Sequence, residues 1–117
     1  MTDERKKLVK KLDEVVREIC RKRDKSCVTC GSTEALQCSH LIGRNRKTVR
    51  WNLVNVNMQC SRCHCYHHNQ SEQRYTRWFI AHYGLIVYDD LVKLSEQVDR
   101  RTIYELYGLL EDLERMI

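Results

Sequence analysis

The chain predicts an α+β fold: a short strand–strand–helix core stapled by four cysteines and flanked by N-terminal and C-terminal helices. Three observations lead there. Apolar residues recur at three- and four-residue steps near both ends, the mark of a helix with one buried face. Between those ends the period disappears, and the residues become rich in Cys, His, Asn and Arg. That middle part carries Cys27-x-x-Cys30 and Cys60-x-x-Cys63, with 29 residues between the pairs. Two such turns suit a single tetrahedral ion. We read one domain over 1–117, made of an N-terminal helix (1–25), a metal-stapled core (26–70) and C-terminal helices (71–117). A chain of 117 residues has room for one ordinary core and little more.

Taken in order, Leu8, Leu12, Val15 or Val16, and Ile19 form the buried stripe of a helix over about residues 4–22. It is read as a packing helix, with phosphate contact as a secondary role for its basic face (Lys6, Lys7, Lys10, Lys11, Arg17, Arg21). Cys30-Gly31-Ser32 signals a turn, and two short strands are expected around 36–41 and 53–58. The second rests on the apolar run Leu53-Val54 with Val56 and Met58. A helix then starts between Cys60 and Arg62. Tyr75, Trp78, Phe79 and His82 mark another, ending at Gly84 as a C-terminal cap. Leu91, Leu94 and Val98 suggest one further helix, and Ile103, Leu106, Tyr107, Leu110, Leu113 and Ile117 the last. There are no repeats and no proline.

The net charge of +5 is uneven. Residues 1–25 hold ten basic and six acidic side chains, residues 26–87 seven and two, and residues 88–117 four and eight. A positive field over the first three quarters suits a polyanion, nucleic acid first. No run approaches the roughly 18 apolar residues of a membrane span, and the N-terminus has no apolar signal core. Seven cysteines, an odd number, read as thiolates in a reducing compartment rather than as disulfides. A cytoplasmic protein is expected.

The four paired cysteines are assigned to structural Zn2+. Cys20 reads as a buried thiol, Cys65 as packing behind the site, and Cys38 stays open as a metal contact. The residues between the pairs carry the sharper expectation. His40, Asn55 and His64 fall on strand, strand and helix, where one imidazole would deprotonate water, the amide would orient that imidazole or a metal, and the helix histidine would hold the ion. His68, four residues after His64, shares its helix face, and His67 is an alternative. Residues 26–87 contain no Asp and only two Glu, so an oxygen-rich magnesium site is hard to build. Imidazole ligation favours Mn2+, Ni2+ or Zn2+ over Mg2+ in affinity for the catalytic ion. Arg44, Arg46, Lys47 and Arg50 form a basic loop suited to phosphates.

These motifs (the two cysteine pairs, Gln37-Cys38-Ser39-His40-Leu41-Ile42-Gly43-Arg44, Arg50-Trp51-Asn52, Asn55 and His64) resemble the HNH endonuclease family over about residues 27–82. Within it they are similar to small zinc-containing phage nucleases, including the lambdoid recombination-type proteins. The resemblance implies a ββα-metal fold, DNA as partner and hydrolysis of its phosphodiester bonds. It would make His40 the general base, Asn55 the family's asparagine, His64 the second histidine and His68 an additional helix ligand. Arg44 and Arg50 fall where members place phosphate-facing arginines. Ser39 departs from the pattern, standing where many members carry a metal-binding aspartate. The competing readings are a zinc-ribbon nucleic-acid-binding module without chemistry, and an interaction protein built on the helical ends. Nothing in the pattern decides an oligomeric state.

Overall fold

Helix α1 (Asp3–Arg23) forms where a cap and an apolar stripe coincide. The Thr2 side chain accepts the Arg5 N–H at 3.2 Å, Asp3 and Glu4 occupy the first turn, and Arg21, Lys22 and Arg23 the last. Both sets of charges complement the helix dipole. The computed structural model describes all of residues 1–117. In it α1 buries Leu8, Leu12, Val15, Val16 and Cys20.

Strands β1 (Leu36–His40) and β2 (Val56–Cys60) pair antiparallel, with His40 opposite Val56 and Cys38 opposite Met58. Helix α2 (Ser61–Asn69) follows β2 without a loop and packs on both strands. The second strand therefore begins at Val56, not near residue 53. Residues 52–55 are a turn instead, because the Asn52 side chain captures the Val54 N–H at 3.1 Å and the Asn52 carbonyl takes the Asn55 N–H at 2.9 Å. An asparagine that satisfies the backbone locally competes with a strand ladder.

Every residue of β2 is buried. Val56 and Met58 join α1, Trp51 and helix α5 (Ile103–Glu114) in one apolar cluster. Asn57 and Gln59 point the other way and are polar. Asn57 is almost fully satisfied there: its Nδ2 donates to the Val54 carbonyl (3.0 Å) and the Tyr75 hydroxyl (3.1 Å), and its Oδ1 accepts from Arg23 (3.1 Å) and Tyr83 (3.2 Å). Tyr75 passes its own proton to the Ser39 carbonyl at 2.7 Å. This network ties β1, β2 and helix α3 (Gln73–Tyr83) together, and a buried polar network that is satisfied in this way rigidifies what it joins.

Gly84 ends α3 with φ +99°, a backbone that an L side chain would strain. Helix α4 (Leu85–Ser95) starts at once. It stops before Val98, which is 72% exposed and outside the helix, so the expected Leu91–Leu94–Val98 stripe is cut short. The Glu96 N–H closes the last turn on the Val92 and Lys93 carbonyls, and the Ser95 hydroxyl bonds the Val92 carbonyl at 2.6 Å. The chain then crosses to a capping box at Thr102 and Glu105, which starts α5. Leu41, Val49, Tyr75, Phe79 and Leu91 form a second apolar cluster. The protein is thus a small α+β fold of five helices and a two-stranded sheet. No helix is long and apolar enough to cross a membrane.

Candidate metal centre and active site

The four paired cysteines converge. The sulfurs of Cys27, Cys30, Cys60 and Cys63 all lie within 4.8 Å of one another, and Cys30 and Cys60 are 3.6 Å apart. A tetrahedral zinc at about 2.3 Å from each sulfur would place them about 3.8 Å apart, so the donor set fits. The first turn closes when the Gly31 N–H reaches the Cys27 carbonyl at 2.8 Å, with Gly31 at φ +82°. The Val28 N–H bonds the Met58 carbonyl at 3.0 Å and seats that turn on β2. The second turn is the cap of α2, where the Cys60 sulfur faces the Cys63 N–H at 3.5 Å.

Second-layer contacts favour thiolate. Gln59 Nε2 donates to the Thr29 hydroxyl at 3.0 Å, which frees the Thr29 proton for the Cys27 sulfur at 3.3 Å. Burial pushes the Cys27 thiol up, but the Thr29 hydroxyl and neighbouring backbone N–H groups outweigh it and bring it down to about 6. Burial pushes Cys63 up, to about 11. Four sulfurs this close do not all ionise unaided, and a cation bound among them would supply the missing charge.

A cavity of about 560 Å3 is walled by residues of α1, the sheet, α2 and the loop between the strands. His40 from β1 and His64 and His68 from α2 line it, with Asp13, Arg17 and Arg21 of α1 opposite and Arg44 and Arg50 from the loop. His40 Nε2 lies 2.9 Å from the Arg50 carbonyl. A carbonyl only accepts, so Nε2 carries the proton and Nδ1, with no protein partner, keeps its lone pair. Burial lowers the His40 pKa below the ordinary imidazole value, aided by the charges of Arg44 and Arg50 and opposed by the Arg50 carbonyl and Asp13. His64 Nδ1 meets Gln37 Oε1 at 2.7 Å, leaving its Nε2 as the free donor atom. Burial lowers His64, and the neighbouring His68 and His67 lower it further; burial, then His67, lowers His68. The His64 and His68 ring centroids are 4.7 Å apart.

The four-thiol cluster is the one place where three or more His, Cys or carboxylate ligand atoms gather this closely. The imidazoles line one cavity but do not close into a cage. His67 is withdrawn from it: buried, it meets the Leu41 carbonyl through Nε2 at 3.0 Å and stacks edge-on against Tyr75, so it does not substitute for His68. Asn55 makes no hydrogen bond to the His40 ring. Fully buried, it accepts the Ile42 N–H at 2.9 Å and donates to the carbonyls of Ile42 (3.0 Å) and Val49 (3.1 Å), and so orients the loop backbone rather than an imidazole or a metal. Arg50 lines the cavity, but its guanidinium is bound in two places to Asp13, at 3.0 and 2.7 Å, and is not free for a phosphate. Arg46 and Lys47 are exposed and do not line the cavity. Ser39 is fully buried, one residue out of phase with His40, and so faces away from the cavity. Cys38 is half-buried on the cavity wall, its thiol donating to the Met58 sulfur at 3.6 Å. Cys20 is a buried thiol, as expected, bonded to the Val56 carbonyl at 3.3 Å. Cys65 is exposed rather than packed behind the site.

Asp13 has no place in the sequence motifs, Gln37 stands in one without a role of its own, and Arg17 and Arg21 belong there only to a broad basic face. A signal existed. Asp13, Arg17 and Arg21 follow at four-residue steps along one edge of the apolar stripe of α1, a row that borders the buried face.

Fold and site together define a small α+β protein with a four-thiol cluster suited to a metal ion and a histidine-lined, arginine-rich cavity. The family described as Bacteriophage Lambda NinG protein matches residues 2–114, and the chain belongs to that family. Comparison with curated proteins and with solved structures gives no match.

Proposed function

We propose that this NinG-family chain is a metal-dependent DNA endonuclease of the HNH type, acting in the host cytoplasm, with β1, β2 and α2 as its ββα-metal core. The observation that carries the reading is the shared cavity of His40, His64 and His68, in which His40 keeps Nδ1 free. With a lowered pKa, His40 is a neutral base at pH 7. In this reading Nδ1 takes a proton from a water placed behind the scissile phosphorus. Arg17, Arg21 and Arg44, which have no carboxylate partner within ion-pair distance, hold the phosphates on either side. Cys27, Cys30, Cys60 and Cys63 would hold zinc, whose contribution is folding free energy. His64 and His68 offer two neutral imidazoles to a divalent cation, the open arrangement of a catalytic site, and such an ion would supply charge neutralisation at the phosphate.

A plasmid-nicking assay with Mn2+ tests the reading. His40→Ala is expected to abolish nicking while the zinc-loaded variant still binds DNA, with affinity that falls steeply as salt is raised. Full activity in that variant would remove His40 from the mechanism. A second reading, a zinc-dependent nucleic-acid-binding module without chemistry, is favoured by the four thiols being the one closed ligand set. Salt-sensitive DNA binding by wild-type protein, with no nicking under any divalent metal, would select it.

A further inference from the structure

Helix α1 lies outside the ββα unit, yet it places one carboxylate at the cavity. We infer that Asp13 is a positioning residue for His40: by clamping the Arg50–Trp51 turn it keeps the Arg50 carbonyl on His40 Nε2 and so holds the imidazole in the tautomer with Nδ1 unprotonated. The catalytic consequence rests on the nuclease reading above; the tautomer does not.

The contacts form a chain. Asp13 Oδ1 accepts from Arg50 Nε at 3.0 Å and from Trp51 Nε1 at 2.8 Å, and Oδ2 accepts from Arg50 Nη2 at 2.7 Å. Both oxygens are engaged, so the carboxylate is committed to the turn rather than left over for a cation. The pairing is the fork-on-carboxylate geometry that fixes orientation as well as distance. The backbone carbonyl of that same Arg50 holds His40 Nε2 at 2.9 Å. From the other side, Asn55 Nδ2 grips the Val49 carbonyl at 3.1 Å. Arg101 lies over the Trp51 ring at 5.1 Å and donates to the Lys47 carbonyl at 2.8 Å. Residues 47–51 are thus held at both ends, and Asp13 is the hydrogen-bonding partner of the Arg50 side chain, whose guanidinium also lies over the Trp51 ring at 5.7 Å. Remove its charge and Arg50 can leave for solvent or for a phosphate. The carbonyl then loses its restraint, His40 Nε2 loses its acceptor, and the imidazole is free to populate the other tautomer. Displacing a catalytic group by about 1 Å costs on the order of 10²-fold in rate.

The test compares wild type with Asp13→Asn, a near-isostere, and Asp13→Glu, both zinc-loaded. The first readout is the His40 tautomer from two-bond 15N–1H correlations of the ring. Wild type is expected to show a protonated Nε2 and a bare Nδ1, and Asp13→Asn a mixture. The second is plasmid nicking with Mn2+: kcat is expected to fall about 10–100-fold in Asp13→Asn with KM for DNA within twofold, and Asp13→Glu to recover part of it. Arg50→Lys, which lacks the fork, is expected to match Asp13→Asn, and the double variant to be no worse than either. An unchanged tautomer with unchanged kcat in Asp13→Asn would overturn the inference. So would a rise in KM at constant kcat, which would make the pair a substrate-binding element. If wild type nicks no DNA, the nuclease reading fails, and the tautomer comparison still decides the role of Asp13.

Discussion

Asn55→Ala isolates what the central asparagine does. Its side chain makes three hydrogen bonds, all to backbone: Ile42 N–H at 2.9 Å, the Ile42 carbonyl at 3.0 Å and the Val49 carbonyl at 3.1 Å. Truncation leaves the Ile42 N–H and the Ile42 carbonyl without a partner, whereas the Val49 carbonyl keeps the Asn52 N–H at 3.2 Å. Each orphaned group costs about 1–3 kcal/mol. Allowing for a water entering the space, we expect a loss of about 2–4 kcal/mol from the two groups, against about 5–15 kcal/mol for a whole domain. Equilibrium urea unfolding of the zinc-loaded protein measures it. With a slope of about 1–3 kcal/mol/M, the midpoint should drop by more than about 0.7 M at unchanged slope. Asn55→Asp sharpens the test, because it keeps the acceptor for Ile42 N–H but turns two donors into a charge facing two carbonyl oxygens. At neutral pH it should be at least as destabilised as the alanine variant, and it should recover partly in acid, where a protonated carboxyl can donate once. A loss below about 1 kcal/mol in Asn55→Ala would refute the reasoning, since it would mean the loop relaxes freely around the gap.

Two further outcomes follow from the same physics. Stripping the metal, or Cys60→Ser, should unfold the segment from residue 27 to 63, because zinc contributes about 10–16 kcal/mol of apparent binding free energy in finger-like peptides; native-like circular dichroism after verified zinc removal would count against it. Burial raises the Asp13 carboxyl, but hydrogen bonds from Arg50 and Trp51 and the charges of Arg50 and Arg44 outweigh it and hold it below its ordinary 3.8. A depressed folded pKa adds stability that is fully present above the unfolded value and is lost as pH falls through the folded one. The stability gap between wild type and Asp13→Asn should therefore be flat from pH 7 to 5 and shrink below about pH 4, measured by thermal melts; a gap constant down to pH 2 would show that the carboxylate charge is not involved.

Elements with strong local periodicity were legible in the sequence. Helix α1 was read over about 4–22 and spans Asp3–Arg23, because its stripe, cap and charges agree. The misreadings came where a local competitor won. Leu53 and Val54 look like a strand, but Asn52 takes the Val54 N–H for a turn. Val98 keeps the period of Leu91 and Leu94, but the helix closes at Ser95, and periodicity carries no stop signal when no glycine or proline marks the end. Strand β2 alternates apolar and polar residues from Val56 to Cys60, yet every one of them is buried. Both its faces are covered, and Asn57 and Gln59 are buried by partners on α1, α3 and the first cysteine turn.

The site divides in the same way. Each cysteine turn and the His64–His68 pair is set by a spacing of three or four residues, so the pairing within each is legible locally. Asp13 is not, because it meets Arg50 across 37 residues and Trp51 across 38, and only the docking of α1 on the sheet brings them together. That docking also decides the electrostatics. The cavity lining holds four arginines and a single carboxylate, and the carboxylate is spent on one of the four. Arg17, Arg21 and Arg44 are left as unpaired charges facing His40, His64 and His68, whose lowered pKa values keep them neutral near pH 7. A field of fixed guanidinium charge around neutral imidazoles attracts an anion without protonating the groups that the proposed nuclease reading needs as base and ligand. The excess charge of the sequence therefore becomes meaningful only once α1 forms a wall of the cavity.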